Sequence, residues 1–283
     1  SKYFKTDDNK SPVGALILYS AIFAVILLPF ILLFTSGVFD VIWRDRIILS
    51  LSGMLLVLAY IFYFYALDRD EATIVAPLFQ MIPIFGFILG YLLLGETLTK
   101  MQIIGSVVII AGSVILALNL IGKRIKFKKS VVLFMAGSSL CYALAGVLFK
   151  FVAEFSQNFW PSLFWDFVGK IILGIIIFIF IKSYRQSLLL SIKNNRSMGL
   201  LLNSTNEILS LVGEMALMFA ALLAPIALVQ VVSGFQPLFV FVFGVVLTLF
   251  LPTIGKESLS KASLMQKILG IIVIITGTIL INL

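Results

Sequence analysis

Long apolar runs dominate the chain, and only short polar segments separate them. Each run has about 20 residues or more, which is enough for an α-helix to cross the hydrocarbon core of a bilayer. The runs are continuous and lack the alternation that membrane-spanning strands require. The pattern predicts an all-α integral membrane protein, a polytopic helical bundle of nine spans. The spans are 13–35, 47–67, 72–94, 101–121, 131–152, 160–182, 198–220, 223–250 and 264–282.

Composition agrees with this pattern. Apolar residues make up 61% of the 283 residues, charged residues make up 12%, and histidine is absent. Soluble domains are typically about 45–50% apolar and about 25% charged. A soluble enzyme is therefore excluded. The single cysteine, Cys141, forms neither a disulfide within the chain nor a metal cluster. We expect no catalytic activity, cofactor or metal site.

Basic residues are distributed unevenly among the connections. One set of connections carries 16 lysines and arginines, and the other set carries 4. The positive-inside rule assigns the first set to the cytoplasm. The net charge of +8 is thus explained by topology, and no nucleic-acid partner is expected. We predict a multi-pass protein of a cell membrane, the bacterial inner membrane being suggested by the compact loops. The basic set comprises 1–12, 68–71, 122–130, 182–197 and 252–267.

The chain contains an internal repeat. A shift of 154 residues places Ala66 on Ala220 and Pro83 on Pro237. After an insertion, two glycines spaced by seven residues recur at a shift of 165, Gly105 and Gly112 matching Gly270 and Gly277. The predicted organisation is a first repeat over 1–121, a basic linker over 122–130 and a second repeat over 131–283. Chance similarity between apolar segments is the alternative.

The repeat predicts the architecture. The second half holds five runs and the first holds four, so we expect a further helix before Lys2 and ten spans in the complete protein. Because five is odd, consecutive copies point in opposite directions across the bilayer. Inverted repeats of this kind build alternating-access transporters, whose site lies at the repeat interface near the midplane.

The halves resemble the drug/metabolite transporter superfamily, and in particular its EamA-type transporters. The resemblance covers almost the whole chain, and the first helix of the family's pattern is absent from this sequence. It implies ten helices, alternating access, and movement of small metabolites without an ATPase; it says little about cargo. The residues that carry it are Tyr65–Leu67, Ala76–Pro83, Gly95–Leu98 and Gly105/Gly112, with second-half counterparts at Ala220, Pro237, Glu257–Leu259 and Gly270/Gly277.

Two spans contain carboxylates, which are costly in a membrane and therefore candidates for function. In the seventh span, Asn203, Glu207 and Glu214 share one helical face. Either glutamate is a candidate for proton coupling or for pairing with a cationic cargo; the alternative for Glu207 is a solvated interfacial position. In the sixth span, Asp166 and Lys170 are spaced to form an i, i+4 pair. They are either a structural ion pair, which we favour, or a contact for cargo or for Glu214.

Uncharged polar residues complete the set of candidates for cargo binding. Tyr60 occupies the repeat position of Glu214, Tyr63 follows one turn later, and Tyr142 lies in the fifth span. Gln80 in the third span, and Gln230 and Gln236 in the eighth, stand beside prolines that can kink these helices and act as hinges. Ordinary packing is the alternative for Tyr60 and Tyr63. The glycine pairs are predicted to permit close helix contact.

These observations favour a secondary active transporter for a small polar or amphipathic metabolite. Its partners would be that small molecule, the lipid bilayer and, as a refinement, protons as the coupling ion. Two alternatives remain at this point. A non-transporting scaffold or receptor-like protein would pair all its intramembrane charges internally. An uncoupled facilitator or lipid translocator would need no ion gradient. The sequence does not define the oligomeric state.

Overall fold

The computed structural model describes residues 12–69, 75–117, 128–156, 158–194, 197–250 and 261–281. Within them the chain forms helices and no strands, as the apolar runs predict. The α-helices are α1 (Pro12–Phe34), α2 (Trp43–Leu67), α3 (Met81–Leu89), α4 (Lys100–Ala117), α5 (Lys129–Ser156), α6 (Phe159–Phe180), α7 (Lys182–Asn194), α8 (Ser197–Leu223), α9 (Ile226–Val231), α10 (Gln236–Phe250) and α11 (Lys261–Ile281).

Seven segments of the described chain are long and apolar enough to cross a membrane. Two shorter apolar helices, Lys100–Ile115 and Phe241–Phe250, fall within the fourth and eighth predicted spans. The protein is therefore a helical membrane protein. The seven segments are Gly14–Phe34, Trp43–Leu67, Pro77–Leu94, Lys129–Glu154, Phe159–Phe180, Ser204–Leu223 and Leu264–Ile281.

The chain divides into two compact units. The first unit comprises 1–64 and 144–223, and the second comprises 65–143 and 224–283. The first unit thus holds α1, α6, α7, α8 and parts of α2 and α5. The second holds α3, α4, α9, α10, α11 and the rest of α2 and α5. Each unit draws residues from both halves of the sequence.

Small residues allow close helix packing in the first unit. A Cβ atom on Gly53 of α2 would overlap the backbone carbonyl of Asp166 in α6, and one on Gly169 of α6 would overlap the carbonyl of Ser50. The backbones of α2 and α6 therefore touch directly. Because dispersion and polar contacts drive helix association in lipid, such glycine contacts determine which helix faces meet.

In the second unit the repeat-related glycines pack α4 against α11. A Cβ atom on Gly105 would lie 2.7 Å from the carbonyl oxygen of Gly277, and one on Gly112 would lie 3.0 Å from that of Gly270. The prediction that these glycines permit close helix contact is confirmed. The first glycine of one helix faces the second glycine of the other, so the two helices run antiparallel.

The third and eighth predicted spans are interrupted helices. A 3₁₀ segment, Ala76–Gln80, contains Pro77 and precedes α3, and the π-helical turn Gly90–Leu94 follows α3. In the eighth span, the 3₁₀ segment Val232–Phe235 separates α9 from α10. The two 3₁₀ segments lie at nearly equivalent positions of the sequence repeat. The two 3₁₀ segments fall beside Pro77 and Pro237, where a backbone hydrogen bond is missing.

The turn after the π-helical segment links two parts of the second unit. Gly95 adopts the left-handed conformation, with a φ of 69°, which glycine tolerates without steric cost. The backbone N–H of Ile226, at the start of α9, donates to the Glu96 carboxylate at 2.8 Å. Glu96 therefore satisfies one of the N–H groups that a helix N-terminus leaves without an intrahelical partner.

One connection differs from the sequence prediction. Residues 182–197 were expected to form a loop, but 182–194 form α7. Tyr184, Ser187 and Leu188 are buried at i, i+3 and i+4 spacing, with Tyr184 and Leu188 in the apolar cluster that includes α1. Among the side chains that the structure describes in α7, this buried stripe covers one turn, and the sequence of the segment has no apolar run long enough to predict a span. Most of the basic linker 122–130, and the turn Glu257–Leu259, lie outside the described residues.

We expect Gly105→Ala and Gly277→Ala each to lower the free energy of unfolding by about 1–3 kcal/mol, because the added methyl group collides with backbone on the facing helix. Thermal unfolding in detergent measures the change. The control is Gly213→Ala in α8, where a Cβ atom would meet nothing within 4 Å. If both α4 and α11 variants were as stable as the control, the close glycine contact would be refuted.

Candidate functional site

A buried charge cluster lies in the first unit, where α6 meets α8. Lys170 Nζ lies 3.3 Å from Asp166 Oδ2, one helical turn away, and donates a hydrogen bond to Glu214 on α8. Asp166 is fully buried and Lys170 is 2% exposed. The predicted i, i+4 pair is thus present. The suggested contact with Glu214 is also present.

Neighbouring side chains hold this cluster in place. The Ser52 hydroxyl on α2 donates to Asp166 Oδ1. Lys170 Nζ lies 4.5 Å from the centroid of the Phe167 ring, within cation–π range. The direct backbone contact at Gly53 brings Ser52 within reach of Asp166. The cluster is therefore assembled from three helices, each supplying at least one polar group.

The described part of the cluster holds an excess of negative charge. With all groups ionised, Asp166 and Glu214 carry two negative charges and Lys170 carries one positive charge. Isolated charges are strongly disfavoured in an apolar interior. A second positive charge, from a proton or a cationic ligand, would balance the cluster. Its chemistry is therefore suited to exchanging a cation.

The other candidates on α8 occupy different environments. Glu207 is half-buried, and its carboxylate interacts with the Ser20 side chain on α1. Asn203 lies in α8, and its side chain is outside the described set. On α2, Tyr60 and Tyr63 are half-buried.

The glutamines and Tyr142 belong to the second unit, whereas the residues of the charge cluster belong to the first unit. Gln80 and Gln230 are buried, Gln236 is exposed and Tyr142 is half-buried. Gln230 lies against Gly86, where an added Cβ atom would overlap its amide oxygen. The Ser113 hydroxyl on α4 donates to the backbone carbonyl of Gly234, in the 3₁₀ segment of the eighth span, at 2.7 Å. The predicted residues therefore form two groups, one in each unit.

A cavity of about 410 Å³ adjoins the charge cluster in the first unit. Phe167, which stacks on Lys170, and Met215, which follows Glu214, both contribute to its wall. The remaining wall is apolar except for Thr35, and it comes from α1, the residue that follows α1, and Trp160. The cavity is large enough for a small metabolite. The full lining is Leu27, Phe30, Ile31, Phe34, Thr35, Trp160, Phe167 and Met215.

Sequence reasoning missed Ser52, Phe167 and Met215. Ser52 is one of many serines in apolar runs, and only the α2–α6 contact distinguishes it. Phe167 and Met215 read as ordinary membrane-facing residues. The one feature of the sequence that pointed to them is that Phe167 directly follows Asp166 and Met215 directly follows Glu214.

Comparisons with known proteins agree with the fold and with the resemblance. The model of the EamA-like transporter family matches residues 6–118. This part of the chain is therefore similar to EamA-like transporters, and the seven apolar helices are those of a multi-pass membrane protein. A solved crystal structure superposes with a TM-score of 0.59 at 17% identity, covering 95% of this chain and 85% of the other, which shows a shared fold.

Two curated relatives match part of the chain. A probable amino-acid metabolite efflux pump of Salmonella typhimurium is 34% identical over 125 residues, which is 40% of this chain and 40% of the relative. An uncharacterized protein of Methanocaldococcus jannaschii is 37% identical over 83 residues, or 28% of this chain and 61% of the relative. The matched segments thus span less than two thirds of either relative.

We expect Lys170→Met to lower the free energy of unfolding by about 3–5 kcal/mol, because it leaves Asp166 and Glu214 buried without their cation. Thermal or denaturant unfolding in detergent measures this loss. Exchanging exposed Lys100 for Met is the control and should change stability by less than about 0.5 kcal/mol.

The double variant Lys170→Met/Asp166→Asn should recover part of the loss, because it removes one of the two uncompensated charges. A single variant as stable as the Lys100 control would show that the cluster does not depend on its lysine. A double variant less stable than the single one would contradict the charge balance described above.

Proposed function

We propose that this protein is a secondary active transporter that moves a small polar or amphipathic metabolite by alternating access. The match of residues 6–118 to the EamA-like transporter family and the partial similarity to a probable amino-acid metabolite efflux pump support transport. The observation that carries the proposal is the buried cluster with its excess carboxylate, beside a metabolite-sized cavity. A bundle needed only as a scaffold has no use for an uncompensated charge in its interior.

Alternating access in this proposal depends on two inverted repeats and nine spans, with repeats over 1–121 and 131–283 joined by the linker 122–130. The glycine contacts support it, because Gly105 faces the counterpart of Gly112, and Gly112 faces the counterpart of Gly105. A two-fold relation between the copies produces such crossed pairs. The nearly matched 3₁₀ segments, and the contribution of both halves to each unit, also support it.

In the first unit, the proposed site consists of the charge cluster and the adjoining cavity. The carboxylates and Lys170 would contact the polar or charged part of the cargo, and the cavity would receive its apolar part. Phe167 and Met215 belong to the cavity wall while their neighbours belong to the cluster. An amphipathic cargo can therefore engage both without either group moving far. Asn203, Tyr60 and Tyr63 are proposed as further cargo contacts of this unit.

In the second unit, the proposed cargo contacts are Gln80, Gln230, Gln236 and Tyr142. The two interrupted spans are proposed as hinges. A 3₁₀ segment has poorer hydrogen-bond geometry than an α-helix, so a change of backbone conformation is less costly there. Gln80 and Gln230 are close to these segments in sequence, which would couple cargo contact to bending.

Proton coupling is proposed to act through Glu214, with Glu207 as the second carboxylate. Glu214 shares Lys170 with Asp166, so one of the two carboxylates lacks a full counter-charge. The Glu214 side chain is 12% exposed, whereas that of Asp166 is fully buried. Glu214 is therefore the more accessible of the pair for exchange with a proton. Glu207 lies two turns away on the same helix and can relay the proton.

An uncoupled facilitator for amphipathic molecules is the second candidate. The wall of the cavity favours it, because seven of the eight lining residues are apolar and Phe34 at its edge is 84% exposed. This candidate needs no proton exchange at Glu214, so a measurement of coupling separates the two.

The test begins with a thermal-stability screen of the purified protein against amino acids and related metabolites, because a ligand that binds only the folded state raises its melting temperature. A stabilising compound is then offered to proteoliposomes that contain a pH-sensitive dye. The wild type should accumulate this compound when a pH gradient is imposed, and the lumenal pH should change with its movement.

Glu214→Gln is expected to abolish accumulation driven by the pH gradient and to weaken, but not remove, binding in the stability screen, because the amide keeps a hydrogen-bonding group toward the cargo while losing the exchangeable proton. Glu154→Gln is the matched control, because the Glu154 side chain is 55% exposed near the end of α5. Transport with unchanged pH dependence in Glu214→Gln would remove the coupling role. Transport without any gradient dependence in the wild type would favour the facilitator, and absence of transport would favour a scaffold.

A further inference from the structure

The junction between α6 and α7 combines a lipid-facing apolar surface with two cations. The last turns of α6 expose Ile175, Ile176, Ile179 and Phe180, with exposed fractions of 53%, 43%, 56% and 79%. Only Ile181 separates Phe180 from Lys182, the first residue of α7. Because a charged side chain is costly in hydrocarbon, the edge of the apolar layer must lie close to Ile181. Lys182 thus lies at the depth of the lipid headgroups.

Contacts within the first unit hold α7 at this position. Tyr184 and Leu188 are buried in the cluster with α1, and Gly14 of α1 leaves no room for a Cβ atom beside the Tyr184 backbone. The buried stripe determines which side of α7 is exposed. Lys182 and Leu189 lie on that exposed side, and Leu189 is 54% exposed.

Arg185 is oriented toward the end of the lipid-facing surface. Its guanidinium carbon lies 6.0 Å from the centroid of the Phe178 ring on α6. Residues 182–194 contain Lys182, Arg185 and Lys193 and no acidic residue. Within the described residues, neither Lys182 nor Arg185 forms an ion pair with a carboxylate. Two cations, one of them beside an aromatic ring, therefore stand at the border of the apolar layer, and the part of the chain that the structure describes supplies neither with a carboxylate partner.

We propose that Lys182 and Arg185 form a binding site for the phosphate headgroup of an anionic phospholipid. A guanidinium binds a phosphate through two parallel hydrogen bonds, and the ammonium adds a second positive charge. The acyl chains lie along Ile179 and Phe180, and Leu189 contacts the same lipid from α7. The site is outside the charge cluster and the cavity, and it does not depend on transport.

Native mass spectrometry of the detergent-purified full chain tests this site with added phosphatidylglycerol or phosphatidylcholine. The wild type should retain phosphatidylglycerol in preference to phosphatidylcholine. Lys182→Gln/Arg185→Gln should lower that preference roughly thirtyfold, as expected when two basic contacts with an anionic lipid are removed. Equal preference in the wild type and the double variant would overturn the proposal.

Two controls distinguish a defined site from general attraction and from misfolding. Arg44→Gln/Lys100→Gln removes the same charge elsewhere and should keep the preference; an equal loss in this variant would overturn the proposal. Arg185→Lys keeps the charge but loses the paired hydrogen bonds, so an intermediate preference is expected. Inorganic phosphate should not displace the lipid, because it lacks acyl chains, and displacement by it would overturn the lipid assignment.

Discussion

The constraint on which the structure of the first unit depends is the cost of placing charge inside a membrane. Asp166, Lys170 and Glu214 lie in segments of α6 and α8 that are long and apolar enough to cross a membrane. Such groups remain in a membrane only when they are paired, hydrogen-bonded or exposed to water. Here one lysine serves two carboxylates, and a serine on a third helix supplies a further hydrogen bond. The arrangement determines how α2, α6 and α8 face one another.

Small residues make this arrangement possible. Helices in lipid gain little from hiding apolar surface from one another, so close contact and polar bonds must provide the attraction. Gly53 and Gly169 bring the backbones of α2 and α6 together, and this contact places Ser52 beside Asp166. In the second unit, Gly105 and Gly277 do the same for α4 and α11. Close glycine contacts between helices therefore position a polar site in the first unit and an apolar contact in the second.

Regular features were predictable from the sequence, whereas contacts between distant residues were not. Spans follow from the length of apolar runs, and the pair of Asp166 with Lys170 follows from helical spacing. The repeat made the glycine contacts predictable, because their spacing recurs. Lys170 and Glu214 are 44 residues apart in the sequence, so helical spacing could not predict their hydrogen bond, and the sequence offered it only as one of several possible contacts of Lys170. Helix α7 was missed because 182–194 has no apolar run long enough to predict a span, and polar residues separate its buried Tyr184 and Leu188. Spacing along the chain also did not indicate that Gln80 and Gln230 would belong to a different unit from Glu214.

In the proposed mechanism, the charge cluster contains one carboxylate, Glu214, whose negative charge is balanced by an exchangeable proton. Infrared difference spectroscopy of the reconstituted protein tests it most directly, because protonated and ionised carboxyl groups absorb at different frequencies. A change of pH should produce a protonated-carboxyl band in the wild type that is missing in Glu214→Gln and present in Glu154→Gln. Identical bands in the wild type and Glu214→Gln would contradict the account.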